Sequence, residues 1–571
     1  MNSGNPGDSR SSTSEFLESF DAGRLLWSTL GEFPKQDPEN RSVGDRIVQE
    51  VGEFLASTLD PEEVDRTGRL PDGFIAALQE RGLLRLRAEP ELGGLGLSEY
   101  NAFRVIECAA AWSVPAGQIL GIQAGVGAGA MIPAMPEGEL RDFVRRRIAE
   151  GMISGFGDTD ESGQNNAFPS MTATLTEDGS AYLLRGRKLF TGHGTVADLL
   201  GVSATLTEAG RRRVGAFFVD TRDAPGFQVS ATLDYLGSRG LPNGELVFDD
   251  VRVPREHALL DSTGDQLPPL VGLLALTGRV YFTGAPALAI ARNCLIWSRE
   301  FLARRAIDGR ELASYDSVQR IVATTVADVY AMDSVARWSL TGRGPQDRLF
   351  ERFVAKNVLT TTAWRVVDRT MSLLAAEGFE TVDSKARRGG PVIPLERAFR
   401  DARGLRVAGN IDFRLDEQAG QLLLKRHYAG QAKDCTPDGE LTPEADPRLS
   451  RSNQEHLKHL GRTLVELGRL CASLTQACPD PEELFSRQHT VLAIGRIATE
   501  LFTVCAVLSR AADTAGTDAG VSQDIADVHS TQAWHRIATH WRELHAFSEP
   551  DYTKVSDSWL AGTASVDLNS H

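Results

Sequence analysis

The residues of this chain most ready to hold a metal are its eleven histidines and six cysteines. His456 and His459 stand three apart and would share a helix face. His529, His535, His540 and His545 follow at gaps of six, five and five, which scatter them around a helix. No carboxylate completes a ligand set beside either group, so no metal site is expected. Cys108, Cys294, Cys435, Cys471, Cys478 and Cys505 form neither a CxxC pair nor a dense framework, which argues against zinc and against a disulfide scaffold. "GGLGLS", Gly93 to Ser98, has the glycines of a phosphate-cradling loop, but its flanks carry helical periodicity rather than a strand, so it reads as a connection between helices. No GxSxG occurs, and no serine or cysteine stands in a recognisable nucleophile setting.

The charge balance removes other classes. A formal net charge of -16 does not suit sequence-independent nucleic-acid binding, which needs cations to neutralise phosphates. The N-terminus "MNSGNPGDSRSSTSEF" lacks a basic region followed by an apolar run, and nowhere do about 18 consecutive apolar residues occur, so neither secretion nor a membrane span is expected. A reducing cytoplasm is the expected compartment.

These residues must be positioned by several structural units, because 571 residues exceed one hydrophobic core and predict roughly three to four units of about 100 to 200 residues. Residues 1 to 40 begin Ser/Gly/Asn-rich and predict a flexible segment. Residues 41 to 150 carry helical spacing. From 151 to 265, short runs such as "AYLLRGRKLF", "VGAFFVD" and "GELVFDDVRVP" lie between Gly, Asp and Asn, which predicts a β domain of roughly six to eight strands. Helical period returns over 266 to 430, where Val318, Ile321, Val322, Val326 and Val329 share a face. "DCTPDGELTPEADPRLS" predicts a linker, and a helical unit completes 431 to 571, with Leu457, Leu460, Leu464, Leu467 and Cys471 forming a packing seam.

This order of units, with a series of local matches, resembles the acyl-CoA dehydrogenase superfamily of flavoproteins over roughly residues 45 to 425. "PELGGLG" is similar to the family's N-terminal helix loop, and "GFGDTDESGQNN" stands where the family has T-E-P-G-A-G-S-D. "LLRGRKLFTGHGTVADLLGVSAT" resembles the strand pair passing the flavin ring, and "LGSRGLPNGELVFDDVRVP" resembles G-x-R followed by F-x-D-V-x-V-P. "REFLARRAIDG" followed by "SVQR" resembles the segment whose arginine and glutamine hold FAD, and "LLAAEGFE" with "PLERAFRDAR" resembles the stretch whose glycine pair approaches the neighbouring subunit's FAD.

The resemblance implies a mainly α fold with a central β domain: an N-terminal helical domain, a β-barrel-like domain and a four-helix bundle, extended here by a C-terminal helical domain as in the very-long-chain branch. It implies FAD, held by Phe156, Thr159, Phe190, Thr191, Gly192, Arg305, Gln319, Ser372, Ala375 and Ala376, with Arg239 and Ser162 toward substrate, and a homodimer.

The departures are as informative. The family's glutamate, which removes the substrate's α-proton, follows R-D-x-R in an E-G pair; "RDARGLRVAGN" offers Ala408 and Gly409, with one residue fewer. Some members carry the base before an arginine on the first long bundle helix, and here Gly278 precedes Arg279. The glycine pair is Ala375 and Ala376, the preceding glutamine is Ser372, an aromatic is Asp308, and W-I-T is replaced by Phe190, Thr191 and Gly192. Losing a general base costs about 10² to 10⁴ in rate.

Three readings fit this pattern. In one, FAD oxidises an acyl substrate and Asp412, Asp160, Glu377 or His193 has taken the base role. In another, decarboxylation of a β-keto acid supplies the carbanion, and an oxygenation such as epoxidation follows, as in the family's epoxyketone-forming enzymes of specialised metabolism. In the third, the protein is a redox-inactive scaffold. The expected partners are a small acyl or β-keto acid, free or bound to coenzyme A or a carrier protein, with an electron-transfer flavoprotein or O₂ as acceptor.

Overall fold

The computed structural model describes residues 14–208, 210–432, 445–514, 516–544 and 551–561; the first 13 residues, Cys435 and most of the expected linker lie outside them. Helices open the chain. Asp37 caps α1 (Pro38–Thr58) by accepting from Asn40 N, and Pro38 sits in the first turn, where its missing N–H costs nothing. Then come α2 (Pro61–Thr67), α3 (Glu99–Trp112, capped by Ser98), α4 (Val114–Gly125) and α5 (Glu139–Ala149).

The β domain follows as β1 (Ser154–Gly157), β2 (Thr172–Leu175), β3 (Ala181–Gly192), β4 (Leu199–Glu208), β5 (Arg211–Asp220), β6 (Phe227–Thr232), β7 (Asn243–Pro254) and β8 (Ala258–Leu259). They form an eight-stranded sheet in the order β6-β7-β3-β2-β4-β5-β8, with β1 alongside β4. The β1–β4 and β2–β4 pairs are parallel and the others antiparallel. Both faces of β4 are buried, so it reads as a continuous apolar run rather than an alternating one. One face packs around Tyr182, Val202, Phe217 and Phe248; the other meets Val144 and Ile148 of α5 through Leu199 and Phe218.

Helices resume with α6 (Pro269–Arg279), which passes through a π-helical turn, Val280–Gly284, into α7 (Ala285–Ala303). The bundle is completed by α8 (Asp316–Leu340), α9 (Leu349–Phe379), α10 (Leu395–Leu405) and α11 (Asp412–Tyr428). The C-terminal unit consists chiefly of α12 (Arg451–Ala477), α13 (Gln488–Asp513) and α14 (Ala519–Leu544). The α6–α7 span and α13 are long and apolar enough to cross a membrane, but 78% of each apolar window is buried inside the fold, as in core helices.

The C-terminal unit and the bundle share one core. Leu457, Leu460, Leu464, Leu467 and Cys471 are all buried along α12. Where α11 crosses α13, Gly420 faces the Val491 carbonyl and Gly495 faces the Asp416 carbonyl so closely that neither position has room for a Cβ. The segment 14–40 differs from the flexible chain its composition predicts. Phe16 stacks on Phe350 (4.9 Å between centroids) and meets Phe502 edge-on (5.8 Å), while Ser14 Oγ and Phe16 N donate to Glu351 (2.9 and 3.1 Å). The burial of Phe16, Leu17, Phe20 and Leu30 outweighs the entropy of ordering the segment.

Candidate functional site

The crevice between the sheet and the bundle begins at the end of β3. Register shifts in the β3–β7 pairing between Leu184 and Gly186 and between Lys188 and Thr191 bulge the strand. The second bulge sets Phe190 at φ +56° and turns its ring outward, 58% exposed, while Lys188 beside it is fully buried. Re-aiming a side chain is what a bulge does. Thr191 follows with a buried hydroxyl that has no hydrogen-bond partner. Gly192 presses on α4, and a Cβ there would lie 2.8 Å from Ile122 Cδ1.

β1 runs beneath this strand end. Phe156 packs over Gly201, and the Thr159 carbonyl accepts from Leu189 N (2.9 Å). Asp160 is almost wholly buried and accepts from Ser162 N and Oγ (3.0 and 2.7 Å), Ser170 N (2.7 Å) and Met171 N (3.3 Å), with Lys188 Nζ 3.8 Å away. Burial alone would raise its carboxyl, but these bonds and the Lys188 charge hold it below the usual range. Asp160 therefore organises the loop, and Ser162 is tied to it. His193 is fully buried, its Nδ1 donating to the Ser154 carbonyl (2.8 Å); burial pulls it down to about 4, which keeps the ring neutral.

The opposite wall is the loop between α10 and α11. Lys356 of α9 is buried beneath it and donates to the carbonyls of Arg406 (2.8 Å) and Asn410 (2.9 Å). Burial lowers this ammonium to about 7. Asn410, at φ +83°, exchanges amide hydrogen bonds with Asn165 (3.0 and 3.3 Å), tying this loop to the one after β1. Gly409, at φ +69°, leaves no room for a side chain: a Cβ would lie 2.9 Å from Phe282 Cζ and 3.2 Å from Arg279 Cγ. The π-helical turn supplies Phe282, and wide turns of this kind recur at functional sites. Gly278 is closed as well, because a Cβ there would run into the Gly125 carbonyl of α4. Arg279 is buried, which lowers its guanidinium, and Asp158, on the exposed turn after β1, lies within electrostatic reach of it. Asp158 accepts from Ser203 Oγ (2.9 Å) and Gln164 Nε2 (3.1 Å). The "DTD" of "GFGDTD" was the signal for it, two carboxylates flanking Thr159.

The other sequence candidates lie elsewhere or are engaged. Asp412 starts α11 and pairs with Arg406; burial would raise its carboxyl, but that pairing holds it low. Glu377 pairs with Arg304 (3.1 Å) at the far end of the bundle. Arg239 donates from Nε to the Asp65 carbonyl of α2 (2.5 Å). Arg305 lies over the Phe301 ring (5.6 Å to the centroid) and makes no ion pair among the described residues. It is followed by a tight hairpin whose turn, Asp308–Gly309, is left-handed at both positions (φ +49° and +80°), as a two-residue type I′ turn requires. That geometry accounts for an aspartate at 308. Gln319, Ser372, Ala375 and Ala376 are exposed near the same end, and Ala375 breaks α9 at φ +51°, ψ −135°, a conformation natural to glycine. Among the described residues no cluster of His, Cys, Asp or Glu could hold a metal; His456 is bound between Asp527 (2.7 Å) and Trp534 Nε1 (2.9 Å).

Two sets of candidate cofactor ligands result: Phe156, Thr159, Phe190, Thr191 and Gly192 in the crevice, and Arg305, Gln319, Ser372, Ala375 and Ala376 at the bundle's end. The first offers an exposed ring and an unpartnered buried hydroxyl, the second an uncommitted guanidinium beside a glycine-like backbone kink. The first set suits an aromatic ring and the second an anionic group.

Comparison with known proteins gives consistent matches. Residues 44–152, 156–251 and 278–410 match the N-terminal, middle and C-terminal domains of acyl-CoA dehydrogenase. The chain is 30% identical over 441 residues to a protein of Mycobacterium tuberculosis named probable acyl-CoA dehydrogenase FadE10, covering 76% of this chain and 66% of that one. It is 24% identical over 396 residues to the human very long-chain specific acyl-CoA dehydrogenase, covering 67% of this chain and 58% of that one. The chain thus spans 58% to 66% of the length of these curated relatives. A solved structure of an acyl-CoA dehydrogenase complexed with FAD from Bacillus anthracis superposes with a TM-score of 0.76 at 18% identity, covering 96% and 95% of the two chains.

Proposed function

The chain belongs to the acyl-CoA dehydrogenase family, whose members bind FAD, and from that premise we propose that it oxidises an acyl or β-keto-acyl substrate without a carboxylate at the family's usual base position. The observation that carries this reading lies at the two base positions. Ala408, opposite the glutamate of the E-G pair, carries no proton acceptor, and Gly278, at the second place where a base is expected, is packed against the Gly125 carbonyl with no room for a Cβ.

FAD, when bound, supplies a hydride acceptor for a substrate carbon. Phe190 would lie against its ring system, the backbone of Thr159, Thr191 and Gly192 would contact the ring edge, and Phe156 would support the floor. Arg305 would take the pyrophosphate through its paired donors, with Gln319, Ser372, Ala375 and Ala376 alongside. These two sets belong to different parts of one chain, which favours a homodimer in which each copy completes the other's site. Arg239 and Ser162 are the proposed substrate contacts, which they would make in exchange for their present partners, the Asp65 carbonyl and the Asp160 carboxylate.

Without a base, the electron pair at the α-carbon must come from the substrate. A β-keto acid provides it: loss of CO₂ leaves the pair on that carbon, where it would form a C=C bond as hydride leaves the neighbouring carbon for the bound flavin, and no side chain has to remove a proton. Lys356, by holding the carbonyls of residues 406 and 410, and the Asn165–Asn410 amide pair fix the loop between α10 and α11. Such chemistry suits a biosynthetic role better than fatty-acid breakdown, with O₂ or an electron-transfer flavoprotein as the acceptor. A second reading rests on Asp158, whose exposed carboxylate near Arg279 offers a relocated base for ordinary α,β-dehydrogenation. Anaerobic mixing of the purified protein with a saturated acyl-CoA and, separately, with a β-keto acid separates the two. Flavin bleaching with CO₂ release supports decarboxylation, whereas bleaching by acyl-CoA that Asp158→Asn abolishes supports the second.

A further inference from the structure

A cavity of about 570 Å³ lies where the N-terminal helices, the bundle and the C-terminal unit meet, and none of the residues assigned above to flavin or substrate lines it. Its volume falls within the range of small-molecule sites. Its charge is unusual for a chain of net charge -16: Lys35, Arg41, Arg104, Arg292 and Arg337 line it against two carboxylates, Glu107 and Asp513.

The ion pairs around it do not cancel this excess. Arg292 is held by Glu107 (2.9 Å) and Asp333 (2.6 Å), and Arg337 by Asp333 (2.9 Å), which also receives Arg510 (2.9 Å). Arg104 pairs with Asp45, and Lys35 closes the rim on Asp513 (2.6 Å). Arg41 reaches Asp45 only at 3.9 Å and is 70% exposed. With Asp45, Asp333 and Arg510 included, two positive charges remain uncompensated. A phosphomonoester carries about −1.5 to −2 at pH 7, and guanidinium forks grip its oxygens in pairs. Elsewhere in the lining, Phe33, Val48, Tyr100 and Ala111 give apolar contact, and Gln36 and Thr341 polar contact, for an organic body larger than the phosphate.

We propose that this junction cavity binds a phosphorylated small molecule of about mononucleotide size, its phosphate gripped by Arg41, Arg104 and Arg337 with Lys35 at the rim. Because the lining comes from three units of the fold, occupancy fastens the C-terminal unit to the N-terminal helices. The test is calorimetric titration of the purified full-length protein at fixed ionic strength with AMP, ribose 5-phosphate, inorganic phosphate, adenosine and succinate. The expected result is saturable binding of the three phosphates, none of adenosine or succinate, and at least a tenfold weaker affinity for AMP in Lys35→Glu/Arg41→Glu. Val48→Trp, which fills the cavity without changing charge, is expected to weaken AMP equally while flavin content stays unchanged. The proposal is overturned if no phosphate binds saturably, if succinate binds as well as phosphate, or if both variants leave binding intact, since the ligand then sits elsewhere.

Discussion

At the scale of single residues, the proposal rests on Ala408 and Gly409, which carry no carboxylate. The absence of an E-G pair after "RDAR" is legible in the sequence itself, where Ala408 and Gly409 follow with one residue fewer than the family's spacing. Lys356 was not legible: its partners lie 50 and 54 positions away, and an isolated lysine in an apolar helix carries no motif. Asp158 was marked only by the DTD of GFGDTD, and its relation to Arg279 exists only once β1 and α6 are packed. Lys356 makes a testable contribution to pH dependence. Its folded-state value, about 7, lies below the unfolded lysine's, about 10.4, so between these values the unfolded chain binds the proton more tightly and stability from this group rises with pH. Urea unfolding of the wild type and Lys356→Met between pH 7 and 10 should show the wild type gaining relative to the variant; parallel profiles would mean that the amine is not perturbed by folding.

At the scale of elements, periodicity announced the helices and strands but not the irregularities that make the site. The β3 bulge that exposes Phe190 and the π-helical turn that carries Phe282 are one-residue departures within otherwise regular runs, and their causes lie in tertiary packing. The α12 seam was legible from its 3, 4, 3, 4 spacing. The α11–α13 crossing was not, because single glycines in helices have many explanations and only contact reveals that Gly420 and Gly495 bring two backbones together. Gly495→Leu should cost about 3 kcal/mol or more by forcing those helices apart. Thermal unfolding reads it directly, and a change below about 0.5 kcal/mol would show that the crossing is looser than described.

At the scale of the whole molecule, the succession of helices, sheet, bundle and further helices was legible because each change of period marks a change of unit. The engagement of residues 14–40 was not, since a polar leader dilutes the composition around Phe16, Leu17 and Phe20. Phe16→Ala should destabilise the protein by about 3 to 5 kcal/mol, as expected for a fully buried phenylalanine and not for a mobile arm. A chemical denaturation curve distinguishes the two. The loop between α10 and α11 carries no carboxylate at Ala408 or Gly409, and the proposal is that substrate, rather than protein, provides the carbanion. Anaerobic stopped-flow mixing tests it most directly. A β-keto acid is expected to bleach the flavin with stoichiometric CO₂ release, and a saturated acyl-CoA to bleach it slower by about 10² to 10⁴ without CO₂. Rapid bleaching by the saturated acyl-CoA, with no advantage for the β-keto acid, would contradict it.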